Sequence, residues 1–359
     1  MLRKRAMLRV SSNIMVSRKS RLVQEALGHF PPGWRLGAIE TQESAFDGAV
    51  RLRAPGGRSS HFVFEVKQAV EPRDVDRVAS ELSKLPSGSH PLVLAPYLSP
   101  RSRDLLRDRG ISHADGTGNL WIAADSIYVE RAGTVRSHAA RGARAGDERT
   151  PRRSLRGPMT ARVVRYLCDG AGPPRVRTIA AATGADPGSV SRILHLLERE
   201  AFVRREHRAV VELDWKALIV RWGEDLAKDR VRESYIAPRG LDHVTARLRN
   251  ESFPYALTGS TAAAAIAPAA ALGALDVYVE DIDIAARALA LRDGDGLGNV
   301  RLIEAFDHVV FERTIKREGL VLAAPSQVAA DLVTLPRRSA DELVAILEWM
   351  EQNAPGWRR

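Results

Sequence analysis

The sequence predicts an α/β chain of several domains, in which a small helix–turn–helix–hairpin region lies between two larger α/β regions. Helix-like and strand-like runs alternate over residues 17–133 and again over 235–359. Between them, residues 158–215 contain three short amphipathic helices followed by two short strands, and 216–234 are predicted to form a connecting helix. With 359 residues, the chain is long enough for two or three domains that each bury a core.

Residues 17–133 are predicted to form one mixed α/β domain. Its first helix, SRLVQEALGHF, is followed by the strand-like runs WRLGAIETQ, AVRLRAP and HFVFEVKQAV, and Gly56 and Gly57 predict a hairpin between the last two. The helix EPRDVDRVASELSKL, the strand PLVLAPYL, the helix PRSRDLLRDRG and a hairpin of NLWIAA and SIYVERA complete it. This order predicts a mixed sheet with flanking helices.

Residues 134–157 break this pattern, because the segment VRSHAARGARAGDERTPRRSLRGP has almost no large apolar side chain. Such a segment cannot bury enough surface to offset the entropy lost on ordering, and we expect a flexible linker. It is rich in arginine, namely Arg136, Arg141, Arg144, Arg149, Arg152, Arg153 and Arg156. These cations form either a basic arm that neutralises DNA phosphates or the solvated surface of a simple tether.

Residues 158–215 carry the most specific pattern of the chain, a winged helix-turn-helix signature. The helix TARVVRYLCDG is followed by VRTIAAATGA, then by DPGSVSRILHLLEREAFV and by the hairpin RREHRAVVELDW. Asp186 is placed to cap the third helix, and Pro187 suits its first position. The predicted shared core of the second and third helices consists of Ile179, Ala182, Val190, Ile193, Leu194 and Leu197.

The face of the third helix that points away from this core is predicted to contact double-stranded DNA. It carries Ser189, Ser191, Arg192 and His195, and the hairpin adds Arg204, Arg205, His207 and Arg208. Short hydroxyls and one long cation suit base edges in the major groove, while the hairpin cations suit flanking phosphates or the minor groove. The net charge of +10 also favours an anionic partner. The alternative explanation of the charge is an arginine-rich composition that results from a GC-rich genome. The alternative use of the winged helix is contact with another protein.

A second candidate site lies in the first domain. Asp47 begins a strand-like run, and the next strand carries Glu65 and Lys67, whose spacing puts both side chains on one side of the strand. Two carboxylates can bind Mg²⁺, and the lysine can orient or help deprotonate a water that attacks a phosphodiester. The order Asp, hairpin, Glu-x-Lys resembles the PD-(D/E)xK restriction-endonuclease-like superfamily, although Phe46 replaces the usual proline. The resemblance implies a nuclease-like fold, active or inert, with Glu25 as the added glutamate of the first helix.

The C-terminal domain contains LTGSTAAAAIAP, in which a strand turns into a helix at Gly259 and Ser260, followed by the strand LDVYVED. This resembles the nucleotidyltransferase fold, in which Gly-Ser holds nucleotide phosphates and an Asp-x-Asp pair binds two metals. Tyr278 occupies the position of the second carboxylate after Asp276. The Asp-Ile-Asp that starts at Asp281 is better explained by charges at a helix N-terminus. The resemblance therefore implies a degenerate, non-catalytic domain.

The winged helix and the C-terminal segments LTGSTAAA, DVYVED, FDHVVFER and LVLAAPSQVAADLVTLPRRSADELVAILEWM together resemble actinobacterial winged-helix proteins of the AbiEi type, the antitoxins of type IV toxin–antitoxin systems. The resemblance covers the C-terminal two thirds of the chain. It implies sequence-specific DNA binding, transcriptional control and autoregulation of a neighbouring gene. The central position of the winged helix, behind a nuclease-like domain, departs from the compact antitoxin layout.

Two main hypotheses about function result. The first is a non-enzymatic transcriptional regulator that binds DNA as a homodimer, needs no cofactor and resides in the cytoplasm on the nucleoid. The alternative is a Mg²⁺-dependent DNA endonuclease that defends against foreign DNA, with Asp47, Glu65 and Lys67 as catalytic residues and the two carboxylates as metal ligands. A C-terminal nucleotide-binding or protein-interaction module is a third option. The single cysteine, Cys168, excludes an internal disulfide, and no apolar run is long enough to span a membrane.

Overall fold

The computed structural model describes residues 21–40, 46–124, 127–133, 154–172, 174–207, 209–226, 231–267, 274–333 and 339–358. Apart from residues 199–201, the chain divides into two compact units between residues 150 and 151. Each unit contains a seven-stranded sheet, and the second also contains a two-stranded sheet. No helix in the described ranges is both long and apolar enough to cross a membrane.

The first unit follows the element order that the sequence predicts, with one additional short strand, β5. Its described elements are α1 (residues 21–27), β1 (Arg35–Leu36), β2 (Gly48–Arg53), β3 (Ser59–Val66), a 3-10 turn (Pro72–Asp74), α2 (Val75–Leu82), β4 (Ser89–Ala95), α3 (Pro100–Asp108), β5 (Ser112–Asp115), β6 (Leu120–Ala124) and β7 (Ile127–Arg131).

The sheet of the first unit is mixed, and its strands lie in chain order. Strands β3, β4 and β5 are parallel, whereas the outer pairs are antiparallel. Since side chains alternate between the faces of a strand, each face receives its own helices. Leu92 and Leu94 of β4 share one core with Leu27 of α1. Val93, between them, shares the other core with Leu106 of α3. Helices therefore cover both faces.

The second unit begins with the three helices and the hairpin of the winged helix and continues into a second α/β layer. Its described elements are α4 (Pro158–Asp169), α5 (Val176–Thr183), α6 (Pro187–Arg199), β8 (Val203–Glu206), β9 (Ala209–Leu213), α7 (Trp215–Leu226), β10 (Arg232–Ile236), α8 (Leu241–Leu248), β11 (Tyr255–Thr258), α9 (Gly259–Ile266), β12 (Leu275–Val279), α10 (Ile282–Ala288), β13 (Arg292–Asp293), β14 (Val300–Glu304), a 3-10 turn (His308–Phe311), β15 (Ile315–Arg317), β16 (Leu320–Leu322), α11 (Pro325–Leu332), α12 (Ser339–Gln352) and α13 (Ala354–Trp357).

The large sheet of this unit has the strand order β13-β10-β14-β12-β11-β16-β15. Strand β10 differs from the sequence prediction, which assigned residues 216–234 to a connecting helix. The helix ends at Leu226, and Arg232 begins a strand that pairs antiparallel with β14, Glu233 opposite Leu302. The partner strand lies almost seventy residues along the chain, so local periodicity does not reveal this pairing.

The winged helix and the C-terminal sheet share one apolar core, whereas the sequence predicts two separate domains. Leu167 of α4, Trp222 of α7 and Val328 of α11 belong to the same buried cluster. Gly223 lets α7 approach α11 closely, because a Cβ at this position would collide with the backbone oxygen of Ala330. The winged helix is therefore built into the C-terminal domain.

Candidate nucleic-acid interface

The helix-turn-helix forms because apolar residues recur on one side of α5 and α6. Ile179 of α5 and Val190, Ile193 and Leu197 of α6 are fully buried and pack in one core. Their spacing of three and four residues keeps them on a single helical stripe. Gly184 ends α5 with a φ of +66°, a left-handed conformation that glycine adopts with little strain. The chain thereby turns into α6 and leaves the opposite face of α6 in solvent.

The start of α6 is capped as the sequence predicts. The Ser189 backbone N–H donates to Asp186 Oδ1 at 2.9 Å, and Pro187 is the first residue of the helix. Hydrogen bonds from the Ser189 hydroxyl and backbone lower the pKa of the Asp186 carboxyl. This cap fixes the first turn of α6.

Three of the four residues predicted on the DNA face of α6 are exposed there: Ser191, Arg192 and His195. Ser189 is a correction, because its residue is only 6% exposed and it lies toward the core, one helical turn before Ile193. Its Oγ accepts a hydrogen bond of 2.7 Å from Arg192 Nη2. Ser189 is therefore placed to position the arginine rather than to contact a base directly.

The predicted wing exists as the antiparallel pair β8 and β9, with a register shift beside Arg205. His207 is exposed at the turn and adopts a φ of +48°. Arg208 lies outside the described residues. So do the linker arginines up to Arg153, whereas Arg156 is exposed.

The wing arginines are held by carboxylates of the same chain. Arg204 pairs with both Glu206 and Glu212, and hydrogen bonds to Glu212 and Glu206 raise the pKa of its guanidinium. Arg205 Nε donates to Glu198 Oε2 of α6 at 3.1 Å, and this pairing lowers the pKa of Glu198. The wing therefore presents less uncompensated positive charge than its arginine count indicates.

Two further arginines at the start of α5 are candidates that the sequence analysis did not single out. Arg175 and Arg177 are exposed. Arg175 also forms a β-bridge with Ala209, and the Val210 N–H donates to the Pro174 oxygen at 3.1 Å, so this segment adjoins the wing. The sequence does show two cations beside the first residue of this helix, a position where phosphate contacts are common in helix-turn-helix proteins. This pattern could have identified both arginines as candidates.

The second candidate site brings its three predicted residues together. Asp47 Oδ2 accepts a hydrogen bond of 2.8 Å from the backbone N–H of Val66, which lies between Glu65 and Lys67. Lys67 Nζ lies 3.0 Å from Glu65 Oε2 and 2.9 Å from Glu81 Oε2. Glu81, on α2, is a partner that the sequence motif does not contain.

The lysine of this cluster is held in its charged form. Burial disfavours the ammonium group, but hydrogen bonds from Lys67 to Glu81 and Glu65 outweigh it and raise its pKa. Lys67 can therefore orient a water or a phosphate, whereas the predicted help in deprotonation is not favoured. Glu25 is exposed and pairs with Arg21 on its own helix.

Asp47 and Glu65 are the candidate Mg²⁺ ligands of this cluster. Among the described residues, no group of three or more His, Cys, Asp or Glu side chains is arranged to hold a metal. Mg²⁺ is commonly bound by one or two carboxylates together with water and phosphate oxygens, so a metal held by Asp47 and Glu65 stays a hypothesis.

The carboxylates of the C-terminal domain are used within the fold. Asp276 pairs with Arg301, with 2.6 Å between Oδ2 and Nη2. Burial raises the pKa of Asp276 despite this partner. The Tyr278 hydroxyl donates to Asp331 at 3.2 Å, and Asp281 caps α10 by accepting from the Ile284 N–H. These contacts give the three side chains structural roles, and the nucleotidyltransferase likeness stays a hypothesis.

Comparison with known proteins bears on the winged helix. The model of the IclR helix-turn-helix domain matches residues 160–207, which span α4 to β8. No curated protein matches the chain. A solved structure of EndoMS in its apo form is 20% identical, with a TM-score of 0.20, over 28% of this chain and 44% of that chain. The chain thus spans less than half of that protein, and a similarity this low indicates neither a shared fold nor a shared function. Residues 160–207 form a helix-turn-helix DNA-binding domain of the IclR type.

Proposed function

We propose that this protein is a sequence-specific transcriptional regulator whose helix α6 reads the major groove of double-stranded DNA. The single observation that carries the proposal is the exposed face of α6, within a helix-turn-helix domain that matches the IclR type. An α-helix fits the width of the major groove, and such domains insert their second helix there.

In this proposal the exposed residues have distinct roles. Arg192 forms a bidentate contact with a guanine edge, and Ser191 and His195 contact neighbouring bases or phosphates. Arg175 and Arg177 contact the phosphate backbone beside α5, where two cations lie on one exposed segment. The protein acts as a homodimer, because two-fold symmetric operators present two equivalent half-sites.

The test begins with selection of binding sites from random DNA, followed by affinity measurement on the selected site. Arg192→Ala is expected to weaken specific binding by about 1–3 kcal/mol and to relax the preference at one base pair. Arg287→Ala, an exposed helix arginine of the C-terminal domain, is the matched control and is expected to bind as the wild type does. Equal loss in both variants, or no loss in Arg192→Ala, would contradict the proposal.

We further infer that the operator lies near the protein's own gene or a neighbouring gene, as the resemblance to AbiEi-type antitoxins implies. Genome-wide mapping of bound sites tests this directly. A bound site upstream of the protein's own transcription unit supports autoregulation. Binding confined to distant genes would leave a regulator but reject the antitoxin-like role.

A second candidate function, DNA cleavage, is supported by the convergence of Asp47, Glu65 and Lys67. Asp47 and Glu65 would hold Mg²⁺, which stabilises negative charge on the phosphodiester during hydrolysis. Lys67 remains positively charged and would orient the water or the scissile phosphate. In this role the winged helix targets the cleavage to particular sites.

The cleavage assay separates the two functions. Purified protein is incubated with supercoiled plasmid and with the selected binding site, in Mg²⁺ or Mn²⁺. For a nuclease, wild type nicks or linearises the DNA, Glu65→Gln does not, and Glu130→Gln, an exposed glutamate of the same unit, cleaves normally. Intact DNA in all reactions rejects the nuclease function and leaves the regulator proposal standing.

A further inference from the structure

A cleft of about 660 Å³ opens in the second unit beside the end of α4. Its apolar walls include Trp349 of α12, Trp357 of α13, Ile315 of β15 and Pro325 of α11. Trp357 is anchored by its indole N–H, which donates to the backbone oxygen of Met350 at 2.7 Å. The volume falls within the range of small-molecule sites, which are mostly apolar with a few polar groups that fix orientation.

A cation lies at the edge of this cleft. Arg317 is two residues after Ile315 on β15, so both side chains extend to the same side of the strand, and both line the cleft. Arg317 is exposed and forms no ion pair with any residue in the part of the chain that the structure covers. Lys316, between them, points to the opposite side and does not line the cleft.

We propose that this cleft binds a small planar aromatic carboxylate. The partly exposed indole of Trp349 offers a flat apolar surface on which a ring can stack. The planar guanidinium of Arg317 can pair with a carboxylate through two hydrogen bonds. A neutral aromatic molecule would gain the first contact without the second, so the cleft discriminates in favour of the acid.

The cleft also adjoins the winged helix, which makes the ligand an effector of DNA binding. Arg313 lines the cleft, and its Nη1 donates to the backbone oxygen of Asp169, the last residue of α4, at 2.8 Å. The Asp169 carboxylate accepts from Ser326, next to Pro325 in the cleft wall. A bound carboxylate that attracts Arg313 would weaken its hold on α4. This step rests on the proposed regulatory function, whereas ligand binding does not.

Titration calorimetry of the full chain with naphthoate tests the binding step. Wild type and Lys316→Gln are expected to bind saturably with similar affinity, and Arg317→Gln about tenfold more weakly, as for loss of one charge-assisted pair. Naphthalenemethanol, which has the ring but not the charge, is expected to bind about tenfold more weakly to wild type. The proposal is overturned if naphthoate does not saturate the wild type, or if the Arg317 and Lys316 variants behave alike.

The effector step is measured on the same proteins with the selected DNA site. Affinity for DNA is first measured without naphthoate, so that a failure of DNA binding itself is recognised separately. Saturating naphthoate is expected to change the wild-type affinity for DNA about fivefold or more, within the usual range of allosteric coupling. Arg317→Gln is expected to need about tenfold more naphthoate for the same change, as its weaker ligand binding requires. Saturable naphthoate binding with unchanged DNA affinity would overturn the effector role.

Discussion

Substitution of the buried arginine that links the winged helix to the C-terminal domain is expected to cause a large loss of stability. Arg165 of α4 is almost fully buried. Its Nε donates to Asp169 at 2.8 Å, and its Nη atoms donate to the backbone oxygens of Val309 and Glu312 at 3.0 Å and to Gln327 Oε1 at 3.3 Å. Arg165→Met would retain most of the side-chain volume but remove all four hydrogen bonds.

The expected loss follows from the groups left without this partner. The Asp169 carboxylate would lose its ion-pair partner in a site 1% exposed, and removal of one member of a buried pair costs about 3–5 kcal/mol. The matched control is Lys216→Gln in the same unit, since Lys216 pairs with Glu351 at 2.7 Å and the two side chains are 37% and 64% exposed. Screening by solvent limits the control to about 1 kcal/mol.

Urea unfolding of the full chain measures both variants. Four of the six tryptophans, Trp215, Trp222, Trp349 and Trp357, lie in the second unit, so most of the fluorescence change follows its unfolding. Hydrogen exchange of the α4 amides assigns the change to this unit. We expect the Arg165 variant to lose at least about 2 kcal/mol more than the control. If both variants unfold within about 1 kcal/mol of the wild type, Arg165 does not link the two parts as described.

Three further predictions concern the interface and the first unit. Glu212→Gln removes one carboxylate partner of Arg204, which leaves more positive charge on the wing. DNA binding measured by fluorescence anisotropy is expected to tighten about two- to threefold at low salt. No change would show that the wing does not approach phosphates. Ser189→Ala removes the hydrogen bond to Arg192 and is expected to weaken specific binding about three- to tenfold, with unchanged nonspecific binding as the control. Burial lowers the pKa of His113 to about 4, below its ordinary value of about 6.5. Between about pH 6.5 and pH 4 the unfolded state therefore binds a proton that the folded state does not. The free energy of unfolding is expected to fall by up to about 3 kcal/mol as the pH falls through this range. Urea unfolding across this window in wild type and His113→Phe checks it, and equal pH dependence in both would contradict it.

The winged helix was predictable because its signals are local. Apolar residues at helical spacing placed Val190 and Ile193 in the core, and the cap formed by Asp186 follows from one residue type beside a helix start. The mixed sheet of the first unit was equally accessible, because alternating helix-like and strand-like runs restrict its topology.

Which residues of the candidate interface are exposed, and which are already paired, was less predictable. Ser189 was assigned to the outward face because it is polar, although its spacing of four residues from Ile193 places it on the buried side of α6. The wing arginines illustrate the same difficulty, because Arg204 finds Glu212 across the hairpin, eight residues away. Pairing across strands depends on register, which composition does not specify.

The sequence by itself determined that the chain contains a helix-turn-helix between two α/β regions, since periodicity, caps and turn glycines act over a few residues. Only the tertiary structure decided that the winged helix shares an apolar core with the C-terminal sheet and that Arg165 bonds to the backbone of the C-terminal domain. It also decided which cations are paired within the chain. The physical reason is distance: Arg165 reaches Val309 across 144 positions of sequence, and the strength of such contacts depends on separation and burial in space. Neither quantity is encoded in a local pattern.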